Sequence, residues 1–352
     1  MNVNKKIIEF FSEYDIIKSG GLFMKRKIFW IIITVVVCIF VTFNYFTEFK
    51  SETFFAMDTI MSVKVTGSKK NLEFAENEIK RLDKIFSSYD TSGQLYKINK
   101  NKGGQVSPEM AEILNKSKEF YEKTEGAFDI TLKNLKDLWA IKSATPKVPG
   151  NDEIKKMLEK SGVDKLAVSG ENVTLNGGIQ LDLGGIAKGY ATDIIVKGLK
   201  ERNVKKFVLD LGGNIYGFSE NKPLNIGIQN PYGQRGDVLL TLEVADSAVV
   251  SSGGYERNFK VGDKVYHHIL DPKTGYPAES GISQVTIVGK DSALCDAYST
   301  AIYVMGREKA ENLYEKSAEF EYIIVENNNI FVSEGLKDEV KNVNSDFKVI
   351  IS

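Results

Sequence analysis

The stretch Q-L-D-L-G-G-I-A-K-G-Y-A-T-D, Gln180 to Asp193, reads as an apolar strand that carries one acid, Asp182, into a Gly184-Gly185 turn. A helix then opens close to Lys188. The glycines leave backbone amides bare, the helix start adds a partial positive charge, and Lys188 adds a full one. Together they suit a ligand bearing phosphates, with Asp182 placed to meet a polar group or a metal on it. A tight strand-to-helix connection with no ligand explains the same residues equally well.

Working outward, short strands alternate with turns. Upstream lie Lys165–Val168 and Asn172–Leu175, and the segment Ile179–Leu183 reads as the strand that enters the turn. Downstream the helix runs from Ile186 to Arg202. Strands follow at Phe207–Leu211, Ile215–Phe218, Leu224–Ile228, Leu239–Val244 and Ala248–Ser251. Gly262-Asp263 predicts a hairpin between Asn258–Val261 and Val265–Leu270. Gln284–Val288 is one more strand, and helices are predicted over Leu294–Met305 and Arg307–Lys316.

Near the front, Phe54 to Val65 reads as a strand. Leu72, Ala75, Ile79, Leu82 and Phe86 recur at helical spacing. Tyr89–Asn99 is polar and turn-rich, while Ser107-Pro108-Glu109 starts a second helix with a cap residue and a proline at the first helical position. Another helix is predicted over Asp152–Gly162. The class this predicts is α+β, with mostly antiparallel sheets flanked by helices.

The chain has 352 residues and a formal net charge of −1. No basic block interleaves with aromatics, which argues against a nucleic-acid partner. Ile28 to Phe46 is a nearly unbroken apolar run without charge, preceded by Lys25, Arg26 and Lys27. A bilayer crossing needs about 20 such residues, and positive flanks stay in the cytoplasm. The expectation is a single-pass anchor in the cell membrane: residues 1–27 cytoplasmic, 28–46 spanning, and a catalytic domain over 52–352 outside. No small-residue cleavage site follows the run, which disfavours a cleaved signal peptide. Val37 before Cys38 and the apolar residues after it disfavour a lipid anchor. Met24 is a second candidate start. The only cysteines are Cys38 and Cys295, so the exported part can form no internal disulfide.

Asp296 and Thr300 stand four apart in A-L-C-D-A-Y-S-T-A and share one helical face. A carboxylate and a hydroxyl so placed offer hard oxygens to Mg²⁺; helix capping accounts for the acid without a metal and, by itself, more readily. His267 and His268 are the only histidines. On a strand they face opposite ways, so one of them can enter a given pocket, where an imidazole could take a proton from a hydroxyl at neutral pH. A surface histidine on a hairpin fits the same residues. Leu211–Asn214 and Ser251–Arg257 supply two more glycine bends, and Arg257 could approach a phosphate or a ribose. G-x-G-x-x-G, a P-loop, G-x-S-x-G and H-E-x-x-H are all absent.

In this order and spacing the pieces resemble one family closely, the ApbE flavin transferases (FAD:protein FMN transferases). They are M-D-T at Met57, F-S-S-Y-D at Phe86–Asp90, G-A-F-D-I-T-L at Gly126–Leu132, D-L-G-G-I-A-K-G-Y-A at Asp182–Ala191 and L-D-L-G-G-N at Leu209–Asn214. S-G-G-Y-E-R at Ser252–Arg257, H-I-L-D-P-K-T-G at His268–Gly275 and D-A-Y-S-T-A at Asp296–Ala301 complete the set. The resemblance implies an ApbE-like fold and a Mg²⁺-dependent transfer of FMN from FAD to a threonine or serine hydroxyl of a partner protein, with release of AMP. It implies that Asp296, Thr300 and a backbone oxygen at Gly185 hold the metal, with Ser299 assisting. It implies that Asp182 and Lys188 contact FAD; that Met57, Tyr89, Ala127, Phe128 and Asp129 hold its flavin and adenine parts; and that Leu270 lies beside the pocket. His268 matches the histidine that helps deprotonate the acceptor. The acceptor is then an exported flavoprotein with a D-G-x-T-G-A-[ST]-like motif, of the kind found in membrane redox complexes. This chain contains no such motif, so its target is another protein. Asp58 departs from the family's usual glycine, and Cys295 from its usual alanine.

Two other activities fit the same ligands. One is Mg²⁺-dependent splitting of FAD to FMN and AMP by water, which an incubation without acceptor would reveal. The other is flavin binding without turnover, which an alanine at position 296 would leave nearly intact.

Overall fold

The computed structural model describes residues 26–37, 48–141, 143–317 and 319–352. The chain divides into two compact units, Met1–Glu48 and Phe49–Ser352. In the first, residues 26–37 are helical and mostly exposed. The rest of the expected membrane span, residues 38–46 with Cys38, lies outside the described residues, as do residues 1–25. Among the described residues no helix is long and apolar enough to cross a membrane.

The second unit is built on a nine-stranded sheet whose spatial order follows chain order. Its strands are β1 (Phe49–Ala56), β2 (Thr59–Thr66), β3 (Lys206–Asp210), β4 (Asn214–Ser219), β5 (Asp246–Gly253), β6 (Gln284–Gly289), β7 (Phe320–Glu326), β8 (Asn329–Val332) and β9 (Lys348–Ile351). Neighbours run antiparallel except β8 and β9, which are parallel. Every excursion therefore returns beside the strand it left.

The longest excursion, between β2 and β3, carries α1 (Lys70–Phe86), α2 (Gln94–Asn101), α3 (Pro108–Lys123), α4 (Lys133–Trp139), α5 (Asn151–Leu158) and α6 (Ala187–Glu201). Between β6 and β7 come α7 (Ser292–Met305) and α8 (Arg307–Lys316). Between β5 and β6 a hairpin pairs Asn258–Val261 with Lys264–His267 around Gly262-Asp263, as its sequence predicts.

The large sheet is covered on both faces, and alternation along its strands sorts the side chains. Val285, Ile287, Tyr322 and Ile324 enter the main core with α6 and α7, while Val288, Ile323 and Val325 pack against a second sheet of Leu224–Gln229, Val238–Val244 and Val340–Lys341. Sandwiched between α6 and the large sheet, α7 is buried from Ser292 to Tyr303 apart from Thr300. Such a helix belongs to a core, so the polar Asp296 and Ser299 buried within it must find partners there.

Local chemistry explains the other elements. Ser107 caps α3 by accepting the Met110 N–H at 3.3 Å, with Pro108 at the first helical position. Phe54–Val65 is not one strand: Met57 and Asp58, with φ of 45° and 63°, turn the chain back so that Ala56 pairs with Thr59. This is the two-residue turn whose positive φ values match strand twist. Ile179–Leu183 does not join a sheet as a full strand; Gln180 alone bridges Leu132. Part of the polar Tyr89–Asn99 segment is helical, as α2.

Candidate active site

The first turns of α6 and α7 overlap, running in opposite directions. Gly189 permits it, because a Cβ there would lie 2.2 Å from the Ser292 carbonyl oxygen and 2.7 Å from Ala293 Cα. Each helix then supplies a carboxylate to the open amides of the other. Asp193 of α6 accepts the N–H groups of Ser292 and Ala293 at 2.8 and 2.9 Å. Asp296 of α7 accepts the Gly189 N–H at 2.9 Å and lies 3.1 and 3.3 Å from Lys188 Nζ. Capping does involve Asp296, but of α6 and not of its own helix, whose cap is Asp291 on the Leu294 N–H at 2.8 Å. Burial and the nearby Asp291 carboxylate push the Asp193 carboxyl up to about 7.

Around this junction the glycine turn closes in. Gly185 packs under Thr300 and Phe128: a Cβ on it would sit 3.5 Å from Thr300 Oγ1 and 3.3 Å from the Phe128 ring. Ser299, fully buried, donates to the Asp296 carbonyl and shares a hydrogen bond with Ser252 Oγ, each at 2.8 Å. Asp182 Oδ1 accepts the Gly184 N–H at 3.1 Å and pairs with the Lys136 ammonium.

A second wall gathers other predicted residues. Tyr89 lies exposed at the rim, its hydroxyl donating to Asp137 at 3.3 Å and its ring 4.4 Å below Lys133 Nζ. Crowding by the protein, then Asp182, Asp137 and Asp58, raise its hydroxyl pKa, so these acids surround it. Ala127 and Phe128 are buried. Asp129 organises their loop by accepting the Thr131 N–H and Oγ–H, each at 2.7 Å, and burial raises its carboxyl pKa. Leu270 belongs to a small buried cluster with Leu132, Leu135, Trp139 and Ile154.

The two histidines separate as alternation requires. His267 Nε2 lies 3.0 Å from the Ala278 carbonyl, its ring stands edge-on to Tyr303, and burial lowers its pKa. His268 Nδ1 lies 3.3 Å from the Arg257 carbonyl. The Arg257 guanidinium binds Asp58 at 3.0 Å.

Sequence reasoning missed Lys136, Ser252 and Glu256. Glu256 is open to solvent, yet the protein crowding it raises its carboxyl pKa, with Lys188 and Arg257 opposing the rise and Asp296 adding to it. The signal for Glu256 was the S-G-G-Y-E-R motif, where two hydroxyls and an acid flank a glycine bend.

The hard oxygens here are the Asp296 carboxylate, the Thr300 hydroxyl and the backbone of Gly185. Among the described residues no group of three or more His, Cys, Asp or Glu could hold a metal. A set with one carboxylate fits Mg²⁺, which keeps waters and takes substrate phosphate for the rest of its shell.

The model of the ApbE family matches residues 57–324. The FAD:protein FMN transferase of Haemophilus influenzae is 28% identical over 282 residues, covering 76% of this chain and 81% of that one. The protein of that name from Treponema pallidum is 35% identical over 217 residues, covering 56% and 60% respectively. The crystal structure of an ApbE protein from Thermotoga maritima superposes with a TM-score of 0.74 at 30% identity, covering 85% of this chain and 98% of that one.

Proposed function

The chain belongs to the ApbE family, and from that premise we propose that it is a membrane-anchored FAD:protein FMN transferase. It moves FMN from FAD to a threonine or serine hydroxyl of an exported flavoprotein carrying a D-G-x-T-G-A-[ST]-like motif, such as a subunit of a membrane redox complex. The acceptor oxygen bonds to the FMN-side phosphorus as the bond to the bridging oxygen breaks, and AMP leaves with that oxygen.

One observation carries this reading: Asp296 meets Lys188 and Gly189, from the glycine turn more than 100 residues earlier, with Thr300 against Gly185. Asp296, Thr300 and the Gly185 carbonyl would hold Mg²⁺, with Ser299 assisting. Mg²⁺, when bound, would offset the charge of the diphosphate and the charge that builds on the departing AMP. Lys188 and the amides at the start of α6 draw in the phosphates. His268 takes the proton of the acceptor hydroxyl. Met57, Tyr89, Ala127, Phe128 and Asp129 would hold the flavin and adenine parts of FAD. The apolar run Ile28–Phe46 after Lys25–Lys27 supports the anchor, with the catalytic unit outside.

The test incubates the detergent-solubilised full chain with FAD and MgCl₂, with and without an acceptor domain bearing the motif. Flavin fluorescence on the denatured acceptor and chromatographic AMP should appear together, disappear with EDTA, and return with excess Mg²⁺. Equal FMN and AMP with an unlabelled acceptor would replace transfer with hydrolysis. Bound FAD without AMP would leave only a flavin-binding protein.

A further inference from the structure

We propose that Arg257 is a positioning residue that ties the Met57-Asp58 turn to the proton-accepting face of His268, with Asp58 as its anchor; this rests on the transferase reading. Two ends of one residue make the link. Its guanidinium holds Asp58 twice, Nη1 donating to the carboxylate at 3.0 Å and Nη2 to the backbone carbonyl at 2.7 Å. Its own carbonyl accepts the His268 backbone N–H at 3.1 Å and faces His268 Nδ1 at 3.3 Å.

The second contact selects a tautomer. A carbonyl oxygen only accepts, so in the neutral ring Nδ1 carries the hydrogen and Nε2 keeps the lone pair. Nε2 is then the atom that takes the acceptor's proton, and Nδ1–H stays on the Arg257 carbonyl before and after the transfer. Arg257 directly precedes Asn258, and His268 directly follows His267. Those two residues are the last pair of the hairpin, so the His268 N–H bond extends its ladder by one rung. What the ladder does not fix is the splay of that rung. The guanidinium does so by reaching across to the turn between β1 and β2.

Asp58 adds the carboxylate half of the strut, where the family pattern more commonly has glycine. At φ 63° glycine is unstrained, so the aspartate is not there for backbone geometry. The pair is partly exposed, with side-chain exposures of 32% and 62%. Solvent screening keeps its contribution to overall stability small, so its effect should appear in alignment.

The test measures kcat and KM for FAD in the full chain with an acceptor domain, for D58G and R257K, alone and together, in wild-type and H268A backgrounds. Lysine keeps the charge of Arg257 but not its fork. R257K should lower kcat about tenfold and D58G about threefold, and the double variant should be no worse than R257K alone. In the H268A background neither substitution should lower the residual rate further. Thermal melts identify any variant that fails to fold, in which case D58G, which adds no strain, decides. If R257K or D58G costs as much without His268 as with it, the proposal is overturned and the transferase reading stands. A wild-type chain that labels no acceptor overturns both.

Discussion

Alanine at position 189 separates helix propensity from site geometry. In an exposed helix the change would stabilise by about 1 kcal/mol. Here the new Cβ would meet backbone at 2.2 and 2.7 Å, where ordinary contact starts near 3.4 Å. Neither obstacle can rotate aside, so α6 and α7 must part by roughly 1 Å, and overpacking of this kind costs about 1–3 kcal/mol. The 2.9 Å bond from Gly189 N–H to Asp296 then leaves hydrogen-bond range. Asp296 is 3% exposed, so water cannot replace that donor freely, which adds about 1–3 kcal/mol.

The penalties outweigh the propensity gain, and the net loss should be about 1–5 kcal/mol. At roughly 2–4 °C per kcal/mol for a large domain, the melting temperature of the full chain should fall by several degrees. Activity should fall further. A displacement of about 1 Å between groups that must act together can cost roughly 100-fold in rate, and the shift lies between Lys188 on one helix and Asp296 on the other. Circular dichroism melts and AMP release at saturating FAD give the two numbers. A G189A chain that melts no lower than wild type and keeps its rate within about threefold would show that the close crossing does not set the site.

Asp296→Asn keeps an oxygen for the Gly189 N–H but withdraws the charge from Lys188 and from any cation; transfer should drop at least about 100-fold with a melt close to wild type, and near-wild-type rates at low Mg²⁺ would remove Asp296 from the chemistry. Asp193 predicts a pH effect: its folded pKa, about 7, lies above the unfolded value of about 3.9, so the fold binds the extra proton between them and loses stability as pH rises through that window. The unfolding free energy of wild type minus that of D193N, from urea titrations at pH 5 and pH 8, should therefore shrink with pH; a constant or growing difference contradicts the assignment.

Much of the fold could be read from residue patterns. The periodicity of Leu72, Ala75, Ile79, Leu82 and Phe86 is the buried face of α1, and Gly262-Asp263 turns its hairpin where a two-residue loop should. The misreadings have physical reasons. At Met57-Asp58 the chain reverses without glycine or proline, and only the folded hairpin shows that an aspartate occupies the left-handed region. Ile179–Leu183 is apolar because Ile179, Leu181 and Leu183 enter the core, not because the segment pairs in a sheet. In the site, the sharing of one helical face by Asp296 and Thr300 follows from spacing alone. That Asp296 serves the amides of α6 does not follow, since it depends on a crossing more than 100 residues away in sequence. Lys136 opposite Asp182 was unreadable for the same reason.

The overlap of two helix starts bears on why this site should call for a cation. The leading amides of α6 and α7 place two partial positive charges side by side, which favours an arriving diphosphate. Asp296 opposes it, because its carboxylate sits among those amides. Lys188 already lies on Asp296, and one ammonium cannot balance both that carboxylate and a substrate carrying two phosphates. At about 4 Å two like charges near a protein surface repel by roughly 4 kcal/mol, enough to cost nearly a thousandfold in binding. Capping alone does not require an acid at 296, since Asn or Ser caps as well as Asp. A carboxylate that helps close the fold yet repels the proposed substrate would be reconciled by a divalent ion, which Asp296 and Thr300, one turn along the same helix, would hold.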